Sequence, residues 1–218
     1  TMHAVAVSAL MVSLARELAL DERARVNAGL AGLLLDVGKA TLAGALLDKP
    51  GILTEEEWAQ VKTHPERGHA LLKQTGGVTR EALEACLHHH ERLDGSGYPE
   101  GLAGEAISEL SRMAAICDVY DAVTSNRPYK HPWDPAEASA HLASMKAAFD
   151  PAIYSAFVRC LGIYPTGSLV RLQSERLAVV LEQNPGAMSE PVVRVFFCTQ
   201  TRQRISPARL DLKEAGHE

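Results

Sequence analysis

The amino-acid sequence predicts a mostly α-helical domain followed by a small strand-rich appendage. Between residues 4 and 161, apolar residues recur every three or four positions, which is the period of an amphipathic helix. That stretch also contains residue patterns typical of helix starts, such as Thr54 followed three residues later by Glu57. After Tyr164-Pro165 the pattern changes to short β-branched and aromatic runs, which favour strands.

Each helix is predicted from its apolar spacing and its boundary residues. Gly38 is expected to close the second helix, since glycine commonly follows a helix end. Pro65 directly after His64 marks another start, because proline is tolerated in the first turn. In chain order, helices are predicted over 4–20, from Glu22 to about Leu35, from Thr54, from His64, and over Thr79–His90, Glu109–Thr124, Pro135–Phe149 and Pro151–Leu161.

The appendage is read from three runs rich in β-branched or aromatic residues. They cover Ser168–Leu172, Leu177–Leu181 and Val192–Phe197, with Asn184-Pro185-Gly186 as a turn between the last two. We therefore expect a helical domain over 1–162 and a β-rich extension over 163–218, with a frayed polar tail after Leu212. The chain begins inside an apolar helical pattern, which suggests that it is cut from a longer protein.

Composition narrows the class of protein. With 46% hydrophobic and 22% charged residues, the 218-residue chain is typical of a soluble globular protein. The net charge of -5 provides no general attraction for nucleic acid, so we expect no DNA partner. No apolar run reaches transmembrane length, and the four scattered cysteines favour free thiols in a reducing cytoplasm.

Several polar residues stand where a helical core is expected, and metal binding would explain them. Asp36 follows a leucine run and Asp118 lies within an apolar helix, where an unpaired carboxylate would be costly. A metal ion, or Lys39 one turn after Asp36, would remove that cost. The polar residues that are candidates to converge are His3, Asp36, Lys39, His64, His89, His90, Tyr98, Asp118, Arg127 and Lys130.

The neighbouring histidines His89 and His90 set a geometric condition. Successive residues on a helix point about 100° apart, so the two imidazoles share one metal only where their helix ends or distorts. The Asp94-Gly95 turn makes such an end plausible. Taken singly, each Asp or His is more often a cap, an ion pair or a surface residue. We leave His69, His131, His141 and His217 in that class.

The joint pattern resembles the HD-GYP family, a branch of the HD-domain phosphohydrolases. The matching pieces lie in family order between His3 and Leu161. They are Leu35-Asp36-Val37-Gly38-Lys39, Lys49-Pro50-Gly51 with Leu53 to Trp58, Lys62 to Gly68, His89 to Leu102, and Cys117 to Lys130.

The resemblance implies a helical bundle with the site in its core and cyclic di-GMP phosphodiesterase activity in bacterial signalling. It also implies a divalent transition metal, iron or manganese, with one or two ions bound. By motif, His3, Asp36 and Asp118 correspond to ligands of a first metal, and Asp36, His64, His89 and His90 to ligands of a second. Asp36 and Lys39 take catalytic roles, and the implied substrate contacts are Lys39, Tyr98, Arg127 and Lys130.

One position departs from the family pattern. The family is named for a His-Asp pair, and Leu35 stands where the histidine is expected. Leucine cannot donate a lone pair to a metal, so we expect the first metal site to be weakened and the activity to be impaired. The alternatives are an inactive module that senses cyclic di-GMP or its linear dinucleotide, a module that docks a diguanylate cyclase through its Gly-Tyr-Pro loop, and a structural domain without a ligand.

Overall fold

The computed structural model describes residues 2–49, 51–125, 133, 135–162, 164–184, 187 and 189–214. Two compact units are present, one within 1–133 and 141–157 and the other within 134–140 and 158–218. The domain boundary expected near residue 162 stays a prediction. No helix in the described ranges has both the length and the apolar character needed to cross a membrane. The predicted contact residues Arg127 and Lys130 lie outside these ranges.

The helices follow one another through most of the chain. Two of the predicted helices are present with the expected bounds, Glu109–Thr124 and Pro151–Leu161. The α-helices are α1 (Met2–Glu17), α2 (Glu22–Leu34), α3 (Gly44–Leu47), α4 (Glu55–Val61), α5 (His64–Thr75), α6 (Arg80–His88), α7 (Glu109–Thr124), α8 (Pro135–Ser144) and α9 (Pro151–Leu161); 3-10 turns cover Val37–Thr41, Gly104–Ala106 and Lys146–Ala148.

The first unit is a bundle in which α1 packs on α2 and α7, while α6 contacts α2, α5 and α7. Apolar side chains from these helices fill its interior. Since His3 lies one turn before the buried Val7 on α1, helix periodicity places the imidazole near the packed face. The largest fully buried apolar side chains include Met11, Leu14, Leu35, Met113, Ile116 and Phe157.

Helix starts follow the predicted local chemistry. The Thr54 hydroxyl accepts a hydrogen bond from the Glu57 backbone N–H, and the Glu57 carboxylate accepts one from the Thr54 backbone N–H. This reciprocal capping box opens α4 as predicted. Helix α5 likewise begins at His64 with Pro65 in its first turn.

Several predicted helix bounds were wrong: the helix expected over 4–20 covers Met2–Glu17, and the helix expected over Thr79–His90 covers Arg80–His88. Gly38 does not close α2, which ends at Leu34; the chain instead continues through Leu35 in helical geometry into a 3-10 turn. The helix expected over Pro135–Phe149 ends at Ser144. There the Ser144 hydroxyl donates to the His141 carbonyl, and the Met145 backbone N–H is shared between two carbonyls, which tightens the chain into a 3-10 turn.

The second unit contains an antiparallel sheet in the order β1-β2-β3-β4. The predicted runs correspond to β1 (Leu169–Arg171), β2 (Arg176–Glu182) and β3 (Val192–Cys198), and β4 (Gln203–Asp211) was not predicted. Strand β4 contains Pro207, which is tolerated because β4 is an edge strand and its pairing with β3 includes a register shift. One sheet face carries a small core of Leu172, Ala178, Val180, Val193 and Val195.

Candidate metal centre

Asp36 reaches the bundle interior because two backbones approach very closely. It precedes the 3-10 turn Val37–Thr41, whose Gly38 lies against the start of α5. A Cβ on Gly38 would lie 1.9 Å from the His64 carbonyl oxygen, so only glycine permits this contact. The approach places Asp36 Oδ1 3.2 Å from His64 Nε2.

The imidazoles of His64 and His89 are both fixed by backbone carbonyls. His64 Nδ1 lies 2.8 Å from the Val61 oxygen, and His89 Nδ1 lies 2.9 Å from the Cys86 oxygen. A carbonyl accepts but cannot donate, so each Nδ1 carries a proton, and the neutral form of each ring has its lone pair on Nε2. Such a contact at one ring nitrogen is the usual way in which a metal-ligating histidine is oriented.

Three lone-pair atoms therefore meet at one point. His64 Nε2 lies 3.2 Å from His89 Nε2, and Asp36 Oδ1 lies 3.2 Å and 3.8 Å from these two atoms. Asp36 Oδ1 is buried and forms no hydrogen bond with any of the described residues. Ligands about 2.1 Å from a shared ion lie roughly 3 to 3.5 Å from one another, so this donor set fits a divalent metal.

His90 completes the group because α6 ends early. The helix stops at His88 with His89 as its C-cap, two residues before the predicted end, which frees His90 from the helical direction. The condition set by the adjacent histidines is thereby met. The ligand atoms of the four residues all lie within 4.8 Å of one another, and the group consists of Asp36, His64, His89 and His90.

Burial keeps two of the imidazoles neutral. Desolvation lowers the pKa of His89 to about 4 and that of His90 to about 2, although nearby carboxylates oppose the effect. Neutral imidazoles are the form that binds metal, so protons do not compete at neutral pH. Burial alone would raise the pKa of Asp36, but contacts with His3 and His64 and the charge of Lys39 hold it far below its usual range.

The second oxygen of Asp36 faces different partners. Lys39 Nζ donates to Asp36 Oδ2 at 2.6 Å, and His3 Nε2 lies 3.3 Å from the same oxygen. The expected contact between Asp36 and Lys39 is thus present at Oδ2, while Oδ1 is left to the imidazole cluster. Asp36 therefore links the cluster to a second set of charged groups.

That second set is built on His3 and two carboxylates of α7. His3 Nδ1 lies 2.5 Å from Asp121 Oδ2, and its Nε2 lies 3.1 Å from Asp118 Oδ1 without an aligned hydrogen bond. Burial opposes protonation of His3, but the carboxylates of Asp118, Asp121 and Asp36 raise its pKa to about 11. The three carboxylates thus favour the imidazolium form of His3 when no metal is bound. Its role as a ligand of a first metal stays a prediction, as does that of Asp118.

Sequence reasoning missed Asp121. This buried residue lies three positions after Asp118, so both carboxylates emerge on the same face of α7. That spacing was the available signal. The contact between Asp121 and His3 Nδ1 fixes the orientation of the His3 ring.

A second overlooked residue, Glu91, holds the loop that follows the histidines. Its buried carboxylate accepts backbone hydrogen bonds from Glu100, Gly101 and Leu102 at 2.8, 3.1 and 3.0 Å. Gly97 permits the fold-back, because a Cβ there would lie 2.4 Å from the Glu91 Cα. The loop places Tyr98 in a stacked contact with His90, with ring centroids 4.7 Å apart.

Leu35 is fully buried next to this centre in sequence, at the C-cap of α2. Its backbone oxygen accepts a contact from the Cys86 thiol. The hydrocarbon side chain offers no donor atom to a cation. The residues of both predicted ligand sets lie close to one another around Asp36, and the predicted substrate contacts Arg127 and Lys130 lie outside the described residues.

Comparisons with known proteins agree with this architecture. Residues 1–153 match the family model described as HD domain. The chain is 50% identical over 215 residues to cyclic di-GMP phosphodiesterase PA4108 of Pseudomonas aeruginosa, which covers 99% of the chain and 52% of that protein. It is 43% identical over 148 residues to the cyclic di-GMP phosphodiesterase response regulator RpfG of Xanthomonas campestris pv. campestris, which covers 66% of the chain and 39% of that protein.

Solved structures show the same fold. An HDG"Y"P protein from Bdellovibrio bacteriovorus superimposes with a TM-score of 0.58 at 22% identity, covering 71% of this chain and 50% of that one. The chain spans about half the length, or less, of the curated relatives named above. The matched domain, the ordered motifs and the His/Asp cluster lead to one conclusion: the chain belongs to the HD-domain family, in its HD-GYP branch.

Proposed function

We propose that this chain is a metal-dependent phosphodiesterase that hydrolyses cyclic di-GMP, with activity reduced by Leu35. The observation that carries the proposal is the convergence of Asp36 Oδ1 with the Nε2 atoms of His64 and His89. Names of relatives support the substrate, since PA4108 and RpfG are called cyclic di-GMP phosphodiesterases. The four cysteines, which all lie in the described part of the chain, form no disulfide bond there, which supports the cytoplasmic location proposed for such a signalling enzyme.

The proposed metal ligands are Asp36, His64, His89 and His90, and iron or manganese is the proposed ion. A bound divalent ion supplies Lewis-acid activation of water near neutral pH. The protein contributes orientation: backbone carbonyls lock two imidazoles, and Asp36 is kept ionised. His3 and Asp118 are the proposed ligands of a first, weaker site on the Oδ2 side of Asp36.

In the proposed reaction a water oxygen forms a bond to phosphorus, and the bond to the ribose oxygen breaks. The leaving oxygen takes up a proton, and the water loses one, so atoms and charge balance. Lys39, a third exposed at its side chain, is positioned to meet a phosphate oxygen near Asp36. Tyr98, Arg127 and Lys130 are the further proposed substrate contacts.

A second candidate function follows from Leu35. Its buried side chain occupies the family's histidine position and cannot bind metal. If hydrolysis is lost, the same cleft becomes a sensor for cyclic di-GMP or its linear product. Docking of a diguanylate cyclase through the Gly97-Tyr98-Pro99 loop is the other form of this candidate.

Metal analysis combined with a hydrolysis assay tests the proposal. We expect the purified protein to hold close to one equivalent of iron or manganese and to hydrolyse cyclic di-GMP slowly. Leu35→His should raise both metal content and rate. Binding of cyclic di-GMP without turnover in either protein would favour the sensing candidate. Absence of both metal and dinucleotide binding would overturn both.

A further inference from the structure

A row of aromatic rings connects the imidazole cluster with the protein surface. The Tyr98 ring stacks on His90 at 4.7 Å and 24°, and the Trp58 ring meets Tyr98 edge-on at 6.5 Å and 78°. Trp58 belongs to α4, and 44% of its surface is exposed. The exposed Trp58 ring is therefore separated from His90, a proposed metal ligand, by the Tyr98 ring alone.

A lysine side chain lies across the same rings. Lys62 Nζ is 5.5 Å from the Tyr98 ring centroid and 5.8 Å from the Trp58 ring centroid. Both distances fall within the range of a cation–π contact. Lys62 is exposed, and its ammonium forms no ion pair with a carboxylate in the described part of the chain. It is held in place by aromatic faces while its charge remains available to an anion.

Beside Trp58 the surface forms a shallow, mainly apolar groove with a volume of about 430 Å³. Ile52, at its border, is 95% exposed. Single exposed apolar residues are common on protein surfaces and need no explanation. Here the groove, the exposed Trp58 ring and the Lys62 ammonium occur together, and only the Tyr98 ring separates Trp58 from His90 of the imidazole cluster. An aromatic face with a nearby cation is the combination that binds a nucleobase and its phosphate.

We propose that Trp58 stacks on a purine base of the bound dinucleotide and that Lys62 contacts one of its phosphates. The proposal rests on the proposed function and extends it, since it assigns a base-binding subsite to the same cleft. The reactive phosphate would lie at the Asp36 cluster, and the attached nucleotide would reach past Tyr98 to the Trp58 groove. In this arrangement neither Trp58 nor Lys62 touches the reacting atoms. Both residues therefore affect substrate affinity and the preference for ligands that carry a nucleobase.

Tryptophan fluorescence gives a direct test. The chain has two tryptophans, so Trp133→Phe leaves Trp58 as the single emitter. Stopped-flow mixing with cyclic di-GMP reads binding before turnover, and we expect saturable quenching of Trp58. Inorganic phosphate, which has no base, should leave the emission unchanged.

Two substitutions at Trp58 separate stacking from bulk. Trp58→Phe keeps an aromatic face, whereas Trp58→Leu keeps an apolar side chain without one. Loss of base stacking should raise KM for cyclic di-GMP by about tenfold or more in Trp58→Leu and leave kcat nearly unchanged. Trp58→Phe should bind much more like wild type. Val26→Ala, which trims another exposed apolar side chain, is the matched control.

Removing the charge of Lys62 tests its proposed contact with a phosphate. Lys62→Gln should weaken binding of cyclic di-GMP and reduce its dependence on salt, while Lys73→Gln on α5 should change neither. If the wild type hydrolyses cyclic di-GMP but Trp58→Leu shows an unaltered KM and Trp58 is not quenched, the stacking proposal is wrong and the proposed function stands. Saturable quenching without any hydrolysis would support the stacking proposal and overturn the enzymatic function.

Discussion

The Nε2 atoms of His64 and His89 face each other at 3.2 Å, and each Nδ1 contacts a backbone carbonyl oxygen, so the neutral form of each ring has its lone pair on Nε2. Two lone pairs at that distance repel unless a cation lies between or beside them. The nearby Asp36 Oδ1, which has no hydrogen-bond partner in the described part of the chain, adds negative charge to the same point. The arrangement is explained by metal binding better than by packing.

Removal of one imidazole should therefore remove the metal. We expect His64→Ala to weaken metal affinity by more than the roughly 10- to 100-fold seen when only a supporting contact is lost. Elemental analysis after dialysis against a graded chelator series measures the change. His69→Ala is the matched control, because His69 lies on the same helix but outside the cluster. Equal metal loss in the two variants would contradict the assignment.

The carboxylates around His3 should make the stability of the metal-free protein depend on pH. Its pKa is raised to about 11 by Asp118, Asp121 and Asp36 against the effect of burial. Because the pKa of His3 is higher in the folded protein than in the unfolded chain, protonation of His3 stabilises the fold. This stabilisation is complete below the unfolded-state pKa near 6.5 and is lost as pH rises toward 11. The difference in unfolding free energy between wild type and Asp121→Asn should thus shrink as pH rises toward 11, because His3 of the variant loses its proton at a lower pH than His3 of the wild type.

Urea denaturation of chelator-treated protein measures that difference. Asp48→Asn, at an exposed helix end, provides a control whose effect should stay constant over the same pH range. A gap between wild type and Asp121→Asn that grows with pH would show that His3 is not held as an imidazolium.

Leu35 should behave as a core residue in the absence of metal. Because it is fully buried, Leu35→Ala is expected to cost about 2–5 kcal/mol of stability. Leu35→His should also lower the melting temperature of the metal-free protein, since it buries an imidazole without a partner. Added manganese should restore much of that loss only if the new side chain reaches a metal. Thermal unfolding with and without manganese measures the effect. If manganese does not raise the melting temperature of Leu35→His, the view that this position lacks only a metal ligand is wrong.

Glu91 should control the order of the Gly-Tyr-Pro loop. In Glu91→Gln one carboxylate oxygen is replaced by an amide that cannot accept from the loop N–H groups. We expect a loss of about 1–3 kcal/mol and faster hydrogen exchange at the amides of Glu100, Gly101 and Leu102. Exchange mass spectrometry compares this variant with Glu105→Gln, which changes an exposed carboxylate. Unaltered exchange in Glu91→Gln would show that the loop is held by other contacts.

Local patterns predicted the helices well where capping and periodicity agree. The bounds of α7 and α9 match, and the capping box at Thr54 is present. Predictions were wrong where a distant contact decides the backbone. Gly38 looked like a helix end, but it is needed for the approach to His64. Strand β4 was not predicted, and its position at the sheet edge, where Pro207 is tolerated, is not visible in the sequence alone.

By itself the sequence determined the family, the mostly helical fold with its strand-rich end, and the residue types available to bind metal, because ordered motifs and hydrophobic periods are local properties. Tertiary structure alone decided how those residues are used. It directs one oxygen of Asp36 to the imidazoles and the other to Lys39, and it brings Asp121 to His3 and Trp58 to Tyr98. Such pairings join residues far apart in the chain, and they depend on helix packing and backbone approach rather than on spacing along the chain.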